Sequence, residues 1–154
     1  FCYHREILEQ LKERYANIAA IGGKSGRKRD LEVKRFQKDK KVRLFLGTIR
    51  ADKEAITLTA ASTTFFIEQG WTPGEHDQAE DRVNRIGQAA LKITAYYLLA
   101  KNTIDEYVWN LIEDKRKLIA RIMDGETVAE KLKERISLVS LIKHLNKKER
   151  KKAT

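Results

Sequence analysis

Gln78, Arg82 and Arg85 stand four and then three residues apart in the string QAEDRVNRIGQ, which runs from Gln78 to Gln88. On an α-helix those spacings bring all three onto one face. Two guanidinium groups projected together make a planar, permanently charged clamp suited to phosphate oxygens. Glu80 and Asp81 beside them can hold the guanidinium groups in position before an anion arrives. A solvated helix laced with intrahelical ion pairs has the same spacing, so spacing alone leaves both readings open.

Other chemistries find less support. Gly23-Lys24-Ser25 has the ending of a nucleotide phosphate loop, but the glycine that motif needs five positions earlier is Ile18, inside a predicted strand. A turn is the better reading. Lys24, Arg27, Lys28 and Arg29 cluster at a predicted helix start and could meet a nucleic-acid backbone there. His4, His76 and His144 are scattered and Cys2 is the single cysteine, so no metal site is expected. No Ser or Cys sits in a nucleophile elbow. His76, close to the start of the arginine-bearing segment, reads as a surface or capping residue. Leu58 to Thr63, LTAAST, reads first as a short helix packed closely on a sheet, and second as a backbone turn lining a phosphate or DNA groove.

The elements that must position these residues alternate strand and helix, the rhythm of a parallel sheet with crossover helices. Strands are expected at Phe1–Tyr3, Ile18–Ile21, Val42–Thr48, Thr63–Ile67 and Ile93–Leu99. A helix over His4–Arg14 carries Ile7, Leu8, Leu11 and Tyr15 on its apolar stripe. A second, over Arg29–Gln37, carries Leu31, Val33 and Phe36. Pro73, the only proline, lies in a turn that leads into the arginine segment. From Thr103, a candidate N-cap with Glu106 three residues on, the chain turns helical, and Gly125 is a candidate terminator. A last helix is expected from about Val128 to Leu145. The expected fold class is therefore α/β, a three-layer parallel sheet flanked by helices, with a C-terminal helical appendage. The expected division is a lobe over 1–125, a helical extension over 126–146 and a basic tail over 147–154.

Composition narrows the partners. The 154 residues hold 32 Lys and Arg against 22 Asp and Glu, a formal charge of +10 and a pI near 9.7. That balance favours a polyanion, nucleic acid or an acidic membrane face. Part of the excess sits in the final NKKERKKAT, which alone reads as a solvated run. No apolar run approaches the length of a membrane span, and no disulfide can form within the chain, so an intracellular setting (cytoplasm, nucleoid or nucleus) is expected. The apolar, β-prone start at Phe1-Cys2-Tyr3 suggests a piece of a longer protein.

Taken together, these segments resemble the second recombinase-A-like lobe of Swi/Snf-type DNA translocases in helicase superfamily two. QAEDRVNRIGQ is similar to that family's sixth motif: Gln, three residues, Arg, two residues, then Arg-Ile-Gly-Gln. ITLTAASTTFFIEQGWTP, from Ile56 to Pro73, resembles the fifth motif and the strand and Trp-x-Pro turn after it. Ile21-Gly22-Gly23 through Phe36-Gln37 resembles the family's glycine turn, arginine-bearing helix and Phe-Gln pair. NTIDEYVWNLIEDK, from Asn102 to Lys115, is similar to the Thr-Ile-Asp-Glu segment and helix that follow the last strand. The resemblance covers roughly residues 1 to 125, and the compact spacing between the two motifs is similar to the annealing-helicase branch. One departure stands out: where the family carries Ala-Gly-Gly-x-Gly, this chain has Ala51-Asp52-Lys53-Glu54-Ala55.

The resemblance implies half of an ATP site. A first recombinase-A-like lobe would supply the phosphate loop and the ligands of Mg2+, and this lobe the arginines. Arg85 is then the implied arginine finger, with Arg82 stabilising charge or bridging the lobes and Gln78 and Asp81 in lobe coupling. Double-stranded DNA would run across both lobes on phosphate contacts, from Lys24, Arg27 and Arg50 in this lobe with Thr48, Thr59 and Ser62 as hydroxyl donors. By itself the chain is expected to be monomeric and inactive. The competing expectation is a DNA- or protein-binding scaffold that keeps the fold without catalysis. An RNA-dependent ATPase of the same superfamily is a third.

Overall fold

The computed structural model describes residues 1–21, 26–49 and 56–124. The expectations for Lys24, Arg50, residues 51–55, Gly125, the helix over 128–145 and the basic tail lie outside them. The elements are α1 (Arg5–Arg14), β1 (Ile18–Ile21), α2 (Arg27–Lys38), β2 (Leu44–Gly47), β3 (Thr63–Phe66), α3 (Pro73–Glu80), β4 (Thr94–Tyr97) and α4 (Ile104–Met123). One unit of the chain comprises Phe1–Gly70 and Gly74–Leu98, and a second comprises Trp71–Pro73 and the residues from Leu99 onward.

In the first unit β1 pairs in parallel with β2, Ile18 opposite Leu44, and β3 pairs in parallel with β4, Thr63 opposite Thr94. Phe1 and Cys2 join these two ladders. Cys2 donates to the Gly47 carbonyl and accepts from Ile49 N–H at 3.1 and 2.8 Å. On its other side Phe1 donates to the Phe65 carbonyl and accepts from Ile67 N–H. The order across the sheet is therefore β1, β2, Phe1–Cys2, β3, β4, with the first residues of the chain at its centre.

That order decides which helix covers which face. The step from Phe1–Cys2 out to β1 runs opposite to the later steps back to β2, on to β3 and on to β4. With right-handed crossovers, α1 must lie on one face and the remaining connections on the other. Side-chain alternation along the strands agrees. Leu8 of α1 packs with Cys2, Ala20 and Leu46. Phe36 of α2 packs with Ala19, Ile21, Ile56, Leu58 and Val83, and Ala79 of α3 packs with Phe66. This is the three-layer α/β arrangement expected from the sequence. Gly47 faces the second layer, where a Cβ would meet the Phe1 ring at 3.2 Å, so the residue is glycine to let that ring lie against β2. Phe66, fully buried, stacks on Tyr97 at 4.6 Å and on Phe1 at 5.7 Å.

Several local expectations need correction. Tyr15 and Leu31, assigned to apolar stripes, are more than half exposed, because α1 ends before Tyr15 and α2 turns Leu31 outward. LTAAST forms no helix: residues 58–62 turn into β3, and only Leu58 of the segment is buried. His76 is completely buried, between the rings of Phe66 and Tyr97, where its Nε2 accepts from Gly70 N–H at 3.1 Å. In the second unit, Thr103 caps α4 as expected, its hydroxyl accepting from Asp105 N–H at 3.2 Å. Lys115 Nζ there donates to the Trp71 carbonyl at 2.8 Å. No described helix is long and apolar enough to cross a membrane.

Glu68, which the sequence did not single out, anchors the start of α1. Its carboxylate accepts from Tyr3 N–H and His4 N–H, each at 2.8 Å, and from the His4 ring at 2.7 Å. Burial alone would raise the Glu68 carboxyl, but the hydrogen bonds from His4 and Tyr3 outweigh it and hold it below the ordinary value of 4.5. A carboxylate at a helix start is also favoured by the helix dipole. Because its pKa is depressed on folding, Glu68 stabilises the chain above the unfolded value and loses that effect as pH falls through the folded one. Glu68→Gln should cost about 2 kcal/mol near neutral pH, from weakened charge-assisted bonds. In urea unfolding, the gap between wild type and variant should shrink below about pH 4.5, and a constant gap down to low pH would contradict this role.

Candidate functional site

The site is assembled around residues 56–61, which cross the second face of the sheet between β2 and β3. Ile56 and Leu58 point into the core, at 5% and 2% exposure, and fix this otherwise irregular stretch. Its polar groups are then tied from both sides. Leu58 N–H donates to the Arg82 carbonyl at 2.7 Å, and Gln88 Nε2 donates to the carbonyls of Ala61 at 2.8 Å and Val83 at 3.0 Å. Opposite, the side chain of Gln37 at the end of α2 bonds to Thr57, Thr59 and Ala60.

The arginine string does not form the single helical face that its spacing suggested. α3 ends at Glu80, and residues 81–87 run in turns. Val83 N–H and Asn84 N–H both return to the Glu80 carbonyl at 2.9 Å, and Gly87 follows at φ +99°. The reason is burial: the turn drives Arg82 and Val83 inward, at 4% and 2% exposure, which a continued helix with 78, 82 and 85 in line could not do while leaving Arg85 outside. The arginines therefore part company. Arg82 lies with Cζ 5.6 Å from the centre of the Phe1 ring, a cation–π contact in the core. Arg85 stays at the surface, where Nη1 donates to the Ile56 carbonyl at 3.2 Å and to Thr57 Oγ1 at 3.3 Å.

Arg85 is thus anchored through one nitrogen, and among the described residues its other N–H groups have no protein partner. A guanidinium fixed at one corner and open at the other suits a phosphate oxygen. Gln78 and Asp81 are exposed, Gln78 on α3 and Asp81 just past it. Glu80 is bound by the Tyr97 hydroxyl. Among the described residues no three His, Cys, Asp or Glu side chains gather as metal ligands would.

The residues expected along DNA separate into two groups. Strands of a parallel sheet end at one edge, and that edge holds Thr48, after β2, and Arg27, which opens α2 beyond the end of β1. Arg27 is exposed, whereas Thr48 is 4% exposed and pairs with Cys2. Ser62 precedes β3 and so stands at the opposite edge. There it lines a groove of about 610 Å³ with Lys38, Lys40 and Arg43. Thr59 accepts from Gln37 at 3.2 Å. Lys24 and Arg50 lie outside the described residues. The sequence reading missed Gln37 and Gln88 as site residues. The signal available was the pairing of amide side chains with the small-residue stretch LTAAS, whose backbone groups need partners wherever no strand or helix supplies them.

Arg82→Ala should therefore destabilise the fold by about 2 kcal/mol, from lost packing and cation–π contact. Arg85→Ala should leave stability within about 0.5 kcal/mol, as a surface change. Urea unfolding of both variants checks this, and equal losses would contradict the separation of the two arginines.

Residues 1–87 match the family described as the helicase conserved C-terminal domain. The human DNA annealing helicase and endonuclease ZRANB3 is 34% identical over 132 residues, which cover 81% of this chain and 12% of that protein. The Xenopus tropicalis SWI/SNF-related matrix-associated actin-dependent regulator of chromatin subfamily A-like protein 1 is 33% identical over 126 residues, 79% of this chain and 13% of its own length. The chain thus spans about an eighth of the curated relatives it matches. Among solved structures, the C-terminal part of the Fun30 ATPase domain aligns with a TM-score of 0.68 at 24% identity, over 73% of this chain and 37% of that one.

Proposed function

Because the chain belongs to the helicase conserved C-terminal domain family, as the second motor lobe of the Swi/Snf type, we propose that it completes the ATP site of a double-stranded-DNA translocase and that Arg85 is its arginine finger. The observation that carries this reading is the state of Arg85: exposed, anchored at Nη1 by Ile56 and Thr57, and, among the described residues, open at its remaining donors. ATP, when bound, supplies the phosphoryl group that is transferred to water. Arg85 is the part of this chain that meets its charge. The Mg2+ ligands and the phosphate loop belong to a first lobe of the same protein. The isolated chain is then inactive.

Arg82 takes a different role from the one its motif implies. A guanidinium buried over Phe1 does not reach a phosphate without leaving the core, so Arg82 positions the turn that carries Arg85. Asp81 and Gln78, both exposed, are available to the facing lobe.

DNA is held along the C-terminal edge of the sheet by Arg27, with Lys24 and Arg50 further candidates on sequence alone, through phosphate contacts that carry no sequence information. The net charge of +10 supports a polyanionic partner, and a DNA-bound motor works inside the cell. The sequence Ala51-Asp52-Lys53-Glu54-Ala55, with no glycine for close backbone approach and two added carboxylates, keeps a second reading in play, a DNA-binding scaffold without turnover.

In the full-length protein, Arg85→Ala should lower DNA-stimulated ATP hydrolysis by about 10³-fold or more, the usual worth of an arginine finger, with DNA binding retained. Turnover equal to wild type would remove Arg85 from the chemistry. Arg27→Ala should weaken DNA binding and reduce the slope of log K against log salt by about 0.9, one phosphate contact. An unchanged slope would exclude Arg27 from the track.

A further inference from the structure

Gln37 spends its whole side-chain amide on residues 57–60. Its Nε2 donates to the Thr57 carbonyl at 2.9 Å and to Thr59 Oγ1 at 3.2 Å, and its Oε1 accepts from Ala60 N–H at 2.8 Å. A primary amide that gives to one backbone carbonyl and takes from a backbone N–H three residues later does the work of a short piece of β-ladder. It also bridges about 20 residues of sequence, from the last turn of α2 to a stretch that lies between strands.

The same stretch carries the anchor of Arg85. Thr57 presents its carbonyl to Gln37 and its hydroxyl to Arg85, and the neighbouring Ile56 carbonyl is the second acceptor for Arg85 Nη1. One residue, Thr57, is thus held by Gln37 on one side and holds Arg85 on the other. The core contacts of Ile56 and Leu58 fix the depth of the stretch, but apolar contacts are not directional, whereas hydrogen bonds set the orientation of its peptide groups.

We propose that Gln37 is a positioning residue for Arg85: it fixes the peptide groups of residues 57–60 so that the Ile56 carbonyl and the Thr57 hydroxyl hold the guanidinium at one place and angle. The inference rests on the reading of Arg85 as the arginine finger. Without Gln37 the Thr57 carbonyl and Ala60 N–H lose their partners and turn to water, and Arg85 loses a fixed anchor rather than a contact of its own. A misplacement on the order of 1 Å far from the reacting atoms is enough to cost about 10²-fold in rate.

The test uses the full-length protein and steady-state, DNA-stimulated ATP hydrolysis. Gln37→Met removes all three bonds at similar length. Gln37→Glu is isosteric, keeps an acceptor for Ala60 N–H and puts a carboxylate against the Thr57 carbonyl in place of a donor, so it serves if the Met variant folds poorly. Both should lower kcat by about 10- to 100-fold and leave KM for ATP within about twofold, since the Gln37 amide is committed to residues 57–60. Combined with Arg85→Lys, which lowers turnover by itself, Gln37→Met should add little, because both act through one guanidinium. Wild-type kcat in both Gln37 variants, or losses that multiply fully with Arg85→Lys, would overturn the positioning role while leaving Arg85 as the finger. Arg85→Lys with wild-type turnover would instead overturn the arginine-finger reading, and this inference with it.

Discussion

The hydrogen bonds that Phe1 and Cys2 make to both neighbours hold the two ladders of the lobe together. Without them β1 and β2 on one side, and β3 and β4 on the other, would be separate hydrogen-bonded pairs. The Phe1 side chain extends the same join into the second layer. It packs against Gly47, stacks on Phe66 and lies beneath the Arg82 guanidinium. The central position of this segment also dictates the faces taken by the helices, because the chain steps toward one edge once and in the opposite direction thereafter. Glu68 secures the exit from that segment by receiving the N–H groups of Tyr3 and His4, just before α1.

From this centre the site follows by a short series of contacts. Arg82, held over Phe1, gives its carbonyl to Leu58 N–H and so sets residues 56–61 beside the turn that ends in Arg85. Arg85 then reaches back to Ile56 and Thr57. Gln88 closes the turn against Ala61 and Val83, and Gln37 ties residues 57–60 from α2. The arginine motif is therefore better understood as one buried and one exposed cation than as a pair. Burying Arg82 is tolerable because an aromatic face and a packed stem compensate for part of its lost hydration.

Much of this was legible in the sequence. Alternating apolar segments located the four strands and the helices α1 and α2, since period-2 and period-3.6 patterns are imposed directly by burial. By contrast, α3 was expected as a turn at Pro73 leading into a helix over the arginine string and instead spans Pro73–Glu80. The Thr103 cap was legible because capping is local. The identity of the motif QAEDRVNRIGQ pointed to the right family, and that identity carried more than its geometry did. Its conformation was not legible. Spacings of four and three fit a helix, yet the helix stops at Glu80 because Val83 is needed in the core beside Ile56 and Leu58, a tertiary requirement with no local signature. His76 was misjudged for the same reason, its burial depending on Phe66 and Tyr97 from two strands. Ser62 was grouped with Thr48 as a hydroxyl donor through the family resemblance, but a parallel strand separates them by its full length, about 13 Å at 3.3 Å per residue.

The central claim is that this lobe contributes an arginine to a site it does not itself contain. Its most direct test is DNA-stimulated ATP hydrolysis by this chain alone and by the same chain joined to the first lobe of its protein. The account predicts no hydrolysis by the chain alone and DNA-dependent turnover in the joined protein. Equal hydrolysis by both, or none by the joined protein while salt-sensitive DNA binding persists, would contradict it.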